Sequence, residues 1–151
     1  MRLYFLRHGE ADWPDWEGRD DDRPLTAGGR EEMHEVGQFL VRLKVRVDFV
    51  LTSPLPRAAQ TADIAAQHIK ASVRRENLLA PGFRPRQLEQ ILAAQRGENL
   101  LLVGHEPDFS EVIRALTGGR AKMSKAGLAL LEVSGTEGKL LWLFPPKVAK
   151  A

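Results

Sequence analysis

Short runs of apolar residues alternate along this chain with longer stretches in which apolar positions recur every three or four residues. Leu3-Tyr4-Phe5-Leu6 is apolar on both faces, the pattern of a strand buried within a parallel sheet. A polar segment with two tryptophans and an acidic run follows over residues 9–24. Thr26 is placed to cap a helix whose buried stripe is Met33, Val36, Leu40 and Leu43, widened by Phe39. Residues 47–51 predict a second strand. Ser53-Pro54 then reads as an N-cap and a proline at the first helical position, ahead of a helix with Ala58, Ala62, Ala65 and Ile69 on one face. Residues 72–76 predict a weak strand, and residues 77–85 a loop punctuated by Pro81, Gly82 and Pro85. Leu88, Ile91 and Leu92 mark a short helix. Leu100-Leu101-Leu102-Val103 is a further apolar strand, and Gly104-His105-Glu106-Pro107 turns it into a helix carrying Phe109, Val112, Ile113 and Leu116. Residues 128–133 and 139–144, joined by Ser-Gly-Thr-Glu-Gly, predict an antiparallel hairpin, with a loose tail after Pro145-Pro146.

Strands alternating with helices imply a three-layer α/β/α sandwich with a mostly parallel sheet and an antiparallel C-terminal strand pair. Residues 1–151 are expected to form one domain, long enough to bury a core without staples. Ligands of such sheets bind at the carboxyl ends of the strands. Arg7-His8-Gly9, the segment from Ser53 to Arg57, and Gly104-His105-Glu106 all follow predicted strands, so three separate regions converge on one edge.

A composition of 43% hydrophobic and 28% charged residues is that of a soluble globular protein. The absence of cysteine excludes disulfides and cysteine-based zinc sites. A net charge of +2 argues against nucleic acid as a partner. No run approaches the ~20 apolar residues of a membrane span, and the four residues from Leu3 to Leu6 are too few for a signal peptide's apolar region. The expectation is a cytoplasmic monomer with neither a nucleic-acid nor a membrane partner.

Arg7 and Arg57 present permanently charged forks suited to phosphate oxygens. A neutral, oriented His8 can attack phosphorus through a ring nitrogen, and His105 can stabilise charge on the phosphoryl oxygens. Gly9 keeps backbone bulk away from a substrate or allows a positive φ. A zinc site on His8 and His105 is an alternative, disfavoured by two neighbouring arginines. His34 and His68 read as solvated helix positions. Trp13 and Trp16 read as pocket mouth, partner surface or packing over the sheet edge, and Asp20-Asp21-Asp22 as a solvated loop or a surface for a basic partner.

Arg7-His8-Gly9 after the first strand, "RPLTAGG" before the first helix, "SPLPRAAQTA" and "VGHEP" together resemble the histidine phosphatase (phosphoglycerate-mutase-like) superfamily. The resemblance implies that His8 forms a phosphohistidine intermediate, that Arg7, Arg57 and His105 complete the phosphate pocket with Gly9 beside it, and that no metal or cofactor takes part. Larger members carry insertions over the pocket, for which this chain has no room. Mutases and phosphomonoesterases of the family also supply an acid, usually a glutamate, after the third strand; here "ENLLAPGFRP" offers only Glu76, too early to match well. An alkoxide leaving group needs that proton, whereas imidazole departs with far less help. Length, "RPLT", "LAP" and the closing strand pair resemble the small phosphohistidine protein phosphatases, so the expected substrate is a phosphohistidine-bearing protein, with inorganic phosphate as product. Glu10, Asp12, Asp15, Glu17, Asp20 to Asp22 and Glu106 are the other carboxylates that could serve as an acid. A broad phosphomonoesterase and a non-catalytic phosphate-recognition module remain the alternatives.

Overall fold

The computed structural model describes residues 1–96 and 98–150. Its elements are β1 (Arg2–Arg7), α1 (Ala27–Arg42), β2 (Phe49–Thr52), α2 (Pro56–Ile69), β3 (Val73–Arg75), α3 (Pro85–Ala94), β4 (Leu100–Gly104), α4 (Asp108–Thr117), β5 (Leu128–Ser134) and β6 (Glu137–Phe144). They form one six-stranded sheet in the order β3-β2-β4-β1-β5-β6. The pairings β2 with β3, β2 with β4 and β1 with β4 are parallel, while β5 runs antiparallel to both β1 and β6.

Alternation along each central strand divides the core into two layers. Tyr4 and Leu6 of β1, Leu101 and Val103 of β4, and Leu128 and Leu130 of β5 pack with Met33, Val36 and Leu40 of α1 and the alanine face of α2. Leu3, Phe5, Leu100, Leu102, Ala129 and Leu131 pack on the other side with Leu88 and Ile91 of α3 and Phe109, Val112 and Ile113 of α4. The expected three-layer sandwich is therefore present, and strands apolar on both faces are its middle layer. Among the described residues, no helix is long and apolar enough to cross a membrane.

Several boundaries differ from expectation. The second helix starts at Pro56, with Leu55 rather than Ser53 at its N-cap and Pro56 rather than Pro54 at its first position. The closing hairpin turns on Gly135 and Thr136 alone, because Ser134 already pairs with Glu137 and Gly135 supplies the positive φ of 60°. The tail is not loose: Pro146–Lys150 forms a 3₁₀ segment that buries Ala149, whose carbonyl accepts from Arg42 Nη2 at 2.8 Å. His34 is exposed as expected, but it meets half-buried His68 across α1 and α2 with 3.0 Å between Nδ1 and Nε2.

The turn of α1 nearest the β1 end explains the two glycines after Thr26. Thr26 Oγ1 accepts from Gly29 N at 3.1 Å, the expected cap. A Cβ on Gly29 would lie 2.2 Å from the backbone oxygen of Glu10, whereas one on exposed Gly28 meets nothing closer than 4.0 Å. Helix propensity favours alanine at both positions, but only Gly28 has the space. Gly28→Ala is expected to be neutral or to stabilise by up to about 1 kcal/mol, and Gly29→Ala to destabilise by about 1–3 kcal/mol through overpacking. Denaturant unfolding of the two variants checks the contrast.

Candidate active site

The strand ends bring the expected residues together. Beyond the β1–β4 ladder, His8 N donates to Gly104 O and Arg7 N to Gly127 O, both at 3.0 Å, so the backbone stays in sheet-like pairing to the point where the imidazole leaves it. Arg57 is the second residue of α2, directly after the turn that follows β2. His105 follows β4. These side chains line a cleft of about 370 Å³ with Asp12, Asp21 and Glu106 at its rim. The His8 and His105 rings are 5.3 Å apart between centroids.

His8 Nδ1 lies 2.7 Å from Gly9 O. A carbonyl only accepts, so Nδ1 carries the hydrogen and Nε2 keeps a free lone pair. Burial is the main cause that lowers the His8 pKa to about 3; the Gly9 bond opposes it, and His105, Arg57 and Arg7 add smaller depressions. Burial also lowers His105, to about 4, with Arg57 as the next cause. Both rings are neutral over the physiological range.

Gly9 contributes through that carbonyl rather than by making room. Its φ is not among the positive values, and a Cβ there would meet Met33 Cγ at 3.1 Å and Leu25 Cδ2 at 3.2 Å, on the packed side of the chain. Its N–H donates to Thr61 Oγ1 at 3.0 Å, and Thr61 in turn donates to Arg57 O at 2.7 Å. A fully buried threonine on α2 thus fixes the backbone after His8. Sequence reasoning does not single Thr61 out; its only signal is a hydroxyl within "SPLPRAAQTA" on a face otherwise built of alanines.

Ser53 also has a different role from the helix cap that its sequence context predicts. Its hydroxyl accepts from Leu55 N at 3.3 Å and stands 2.7 Å from His105 Nε2. Donation from Ser53 to Nε2 uses the hydroxyl fully and places the ring hydrogen on Nδ1, a tautomer assigned from this network. His105 Nδ1 is buried and has no partner in the protein, and the same is true of Arg7 Nε and Arg57 Nε. One further arm of each arginine is held, Arg7 Nη1 by Met123 O and Arg57 Nη1 by Asp20 O, both at 3.0 Å. Three buried donors without acceptors cost about 1–3 kcal/mol each. An oxyanion supplies what they lack.

Five of the carboxylates named as acids are committed elsewhere, whereas Asp21 lines the cleft without an ion pair among the described residues. Glu10 accepts from Asp12 N at 2.5 Å and from the Thr26 hydroxyl. Glu76 accepts from Leu78 N at 3.1 Å and does not line the cleft. Both oxygens of Glu106 are taken by Ser110, through its N–H at 2.7 Å and its hydroxyl. Asp12 pairs with Lys125 and, at 3.5 Å, with Arg23; the Lys125 bond holds its pKa below the usual carboxylate value. Asp20 pairs with Arg23 at 2.9 Å and Arg57 at 3.8 Å. Among the described residues, no group of three or more His, Asp or Glu side chains is arranged to hold a metal ion.

Arg57→Ala is expected to weaken inorganic phosphate binding by roughly 10- to 100-fold, as loss of bonds to a charged ligand implies, and Ser53→Ala by about 10-fold through the lost orientation of His105; calorimetry reads both. In an imidazole ¹⁵N titration of the free protein, His8 and His105 should remain neutral at pH 5, where an ordinary histidine is charged. The unfolded chain binds those protons below the ordinary histidine value of 6.5 and the folded chain does not. Stability should therefore fall as pH drops from about 6.5 towards 4. A native midpoint above 6 for either ring would contradict the burial.

Known proteins share this arrangement to different extents. The family profile of the histidine phosphatase superfamily (branch 1) matches residues 3–80. An uncharacterized protein of Picosynechococcus is 49% identical over 67 residues, which cover 44% of this chain and 40% of that protein. The phosphohistidine phosphatase SixA of Escherichia coli is 36% identical over 63 residues, 42% of this chain and 38% of the relative. Phosphoglycerate mutase 1 of Saccharomyces cerevisiae is 38% identical over 69 residues, 44% of this chain and 28% of that protein. The matched segments thus span less than half the length of these curated relatives. Among solved structures, the protein histidine phosphatase SixA complexed with tungstate superposes with a TM-score of 0.88 at 25% identity, over 98% of this chain and 99% of that one. A family match over more than half the length, containing Arg7, His8, Ser53 and Arg57, means that the chain belongs to the histidine phosphatase superfamily, branch 1.

Proposed function

We propose that the protein is a phosphatase that removes the phosphoryl group from phosphohistidine on a protein through a phospho-His8 intermediate. The observation that carries this reading is the convergence of three unpartnered buried donors, Arg7 Nε, Arg57 Nε and His105 Nδ1, on a cleft that also holds a neutral His8. The donors bind the phosphoryl oxygens and concentrate positive charge where the transition state is most negative. The Nε2 lone pair of His8 attacks phosphorus as the bond from phosphorus to the substrate imidazole breaks. A substrate ring protonated on its second nitrogen leaves as neutral imidazole, so no enzyme acid is required. Water then attacks phospho-His8, releasing inorganic phosphate and restoring the ring. Through its bond to Nδ1, the Gly9 carbonyl keeps Nε2 aimed and stabilises the positive charge the ring acquires while phosphorylated.

Substrate choice rests on the carboxylates. Asp12, Asp20, Asp108 and Glu106 already hold partners, so that of the carboxylates lining the cleft only the exposed Asp21 is left to protonate an alkoxide. General acid catalysis contributes roughly 10²–10⁴-fold, and phosphate esters depend on that single solvent-exposed group while phosphoramidates do not need it. The likeness to SixA, named a phosphohistidine phosphatase, supports the same choice.

Initial rates on a phosphohistidine peptide and a matched phosphoserine peptide, with wild type and His8→Ala in the presence of chelator, test the proposal. The expected outcome is turnover of phosphohistidine at least about 100-fold faster than phosphoserine, lost in His8→Ala. Comparable rates would make the protein a phosphomonoesterase with a loop carboxylate as acid. Phosphopeptide binding without turnover would make it a recognition module.

A further inference from the structure

The loop between β1 and α1 bounds the cleft but takes no part in the chemistry above. Residues 10–23 carry seven carboxylates and two arginines, in a chain whose net charge is +2. Asp12 and Asp20 are paired with cations, and Glu10 turns to Thr26. Asp15, Glu17, Asp21 and Asp22 are exposed and form no ion pair among the described residues.

Two indoles stand on the same loop. Trp13 and Trp16 are 40% and 37% exposed, with centroids 6.2 Å apart and planes tilted by 38°. Neither hangs free. Trp13 Nε1 donates to Pro24 O and Trp16 Nε1 to Arg19 O, both at 2.9 Å, and the Trp16 ring lies against Gly18. With the polar edge of each indole satisfied by backbone, what faces outward is aromatic surface beside unpaired negative charge. That combination favours a cation, through the ring faces and through the carboxylates.

The hollow beside the indoles, about 430 Å³, is bounded by Asp12, Asp20 and Arg23, and these three residues also bound the cleft at His8. The two are one continuous surface of opposite polarity. At its inner end, Arg57 and His105 are more than nine-tenths buried and direct unpartnered donors at the cleft, which calls for an anion. At its outer end the indoles line the hollow, and the free carboxylates Asp15 and Glu17 adjoin them along the chain, a combination that favours a cation. A lone phosphate satisfies only the first.

We propose that Trp13 and Trp16, with Asp15, Glu17, Asp21 and Asp22, form a ledge that selects phosphorylated protein segments in which lysine or arginine flanks the phosphorylated residue. The proposal rests on the reading of the inner site given above. The ledge places binding energy outside the reacting group, so its effect falls on Kd and KM rather than on the chemical step.

The test compares two peptides carrying a stable phosphohistidine analogue, identical except that arginines flank the analogue in one and glutamates in the other. Calorimetry gives Kd for wild type, for Trp13→Ala with Trp16→Ala, and for Asp15→Asn with Glu17→Gln and Asp22→Asn. The basic peptide should bind wild type at least about 10-fold more tightly, and the ratio should fall below about 3 in each variant, as loss of exposed cation–π and charge contacts predicts. Should the tryptophan variant fail to fold, the amide variant, altered only at exposed positions, carries the same comparison. Equal affinities in wild type, or a ratio unchanged by the substitutions, would overturn the ledge. Phosphoramidate is too small to reach the indoles and reports on the inner site alone. Its hydrolysis by wild type but not His8→Ala, together with equal peptide affinities, removes the ledge and leaves the phosphatase. A basic preference without phosphoramidate turnover retains the ledge and removes the phosphatase.

Discussion

Everything at this site depends on burying cationic and donor groups at the end of a sheet without giving them internal acceptors. Arg7, Arg57 and His105 each keep a buried donor unpartnered, while one other nitrogen of each is anchored, to Met123 O, Asp20 O and Ser53. Such a cluster destabilises the empty fold, and the packed sheet offsets that cost. β1 and β4 are buried on both faces and bonded to neighbours on both sides, so they can carry awkward chemistry at their ends without fraying. Desolvation, with a smaller contribution from the same crowding of positive charge, keeps His8 and His105 neutral. Preorganisation and the pKa of the proposed nucleophile therefore share an origin in burial.

Anchoring is uneven across the four groups, and the unevenness has a logic. His8 is set from its own backbone, through Gly9 O, and from α2, through Thr61. Arg57 is held by the acidic loop, whose Asp20 is itself paired with Arg23. The proposed nucleophile thus rests on the sheet and a helix, whereas Arg57, a proposed phosphate ligand, rests on the loop that also presents the tryptophans. The loop that presents the tryptophans is thus in direct contact with Arg57.

Strands and helices are legible in the sequence wherever burial dictates the pattern. β1 and β4, apolar on both faces, and α1, with its stripe of Met33, Val36 and Leu40, lie where periodicity places them. The errors fall where a polar atom has a distant partner. Ser53-Pro54 has the local form of a helix start, yet the serine hydroxyl belongs to His105, 52 residues away, and the helix begins two residues later at Pro56. The tail reads as loose because Lys147 and Lys150 mask the one residue that is buried, Ala149, which is docked by Arg42 from the far end of α1. His34 and His68 form a pair that neither helix reveals alone. In each case local sequence states what a residue prefers, and tertiary structure decides what it meets.

The candidate catalytic constellation is more legible than these boundaries, for a related reason. Arg7, His8, Arg57 and His105 lie at or just beyond the ends of strands β1, β2 and β4, and a parallel sheet must put those ends on one edge. Topology therefore supplies the convergence that no local pattern can. What topology cannot supply is the protonation state and partner of each carboxylate. Glu106 stands beside His105 in the sequence and looks available, but Ser110 in the first turn of α4 takes both its oxygens. Asp12 sits four residues from the nucleophile and is tied to Lys125, 113 residues on. The substrate question turns on these side-chain contacts, because a carboxylate that caps a helix or pairs with lysine cannot also hold the proton an ester would require. That makes the scarcity of free acids at the cleft a consequence of how the loop and α4 satisfy their own polar groups, and the proposed phosphoramidate preference rests on it.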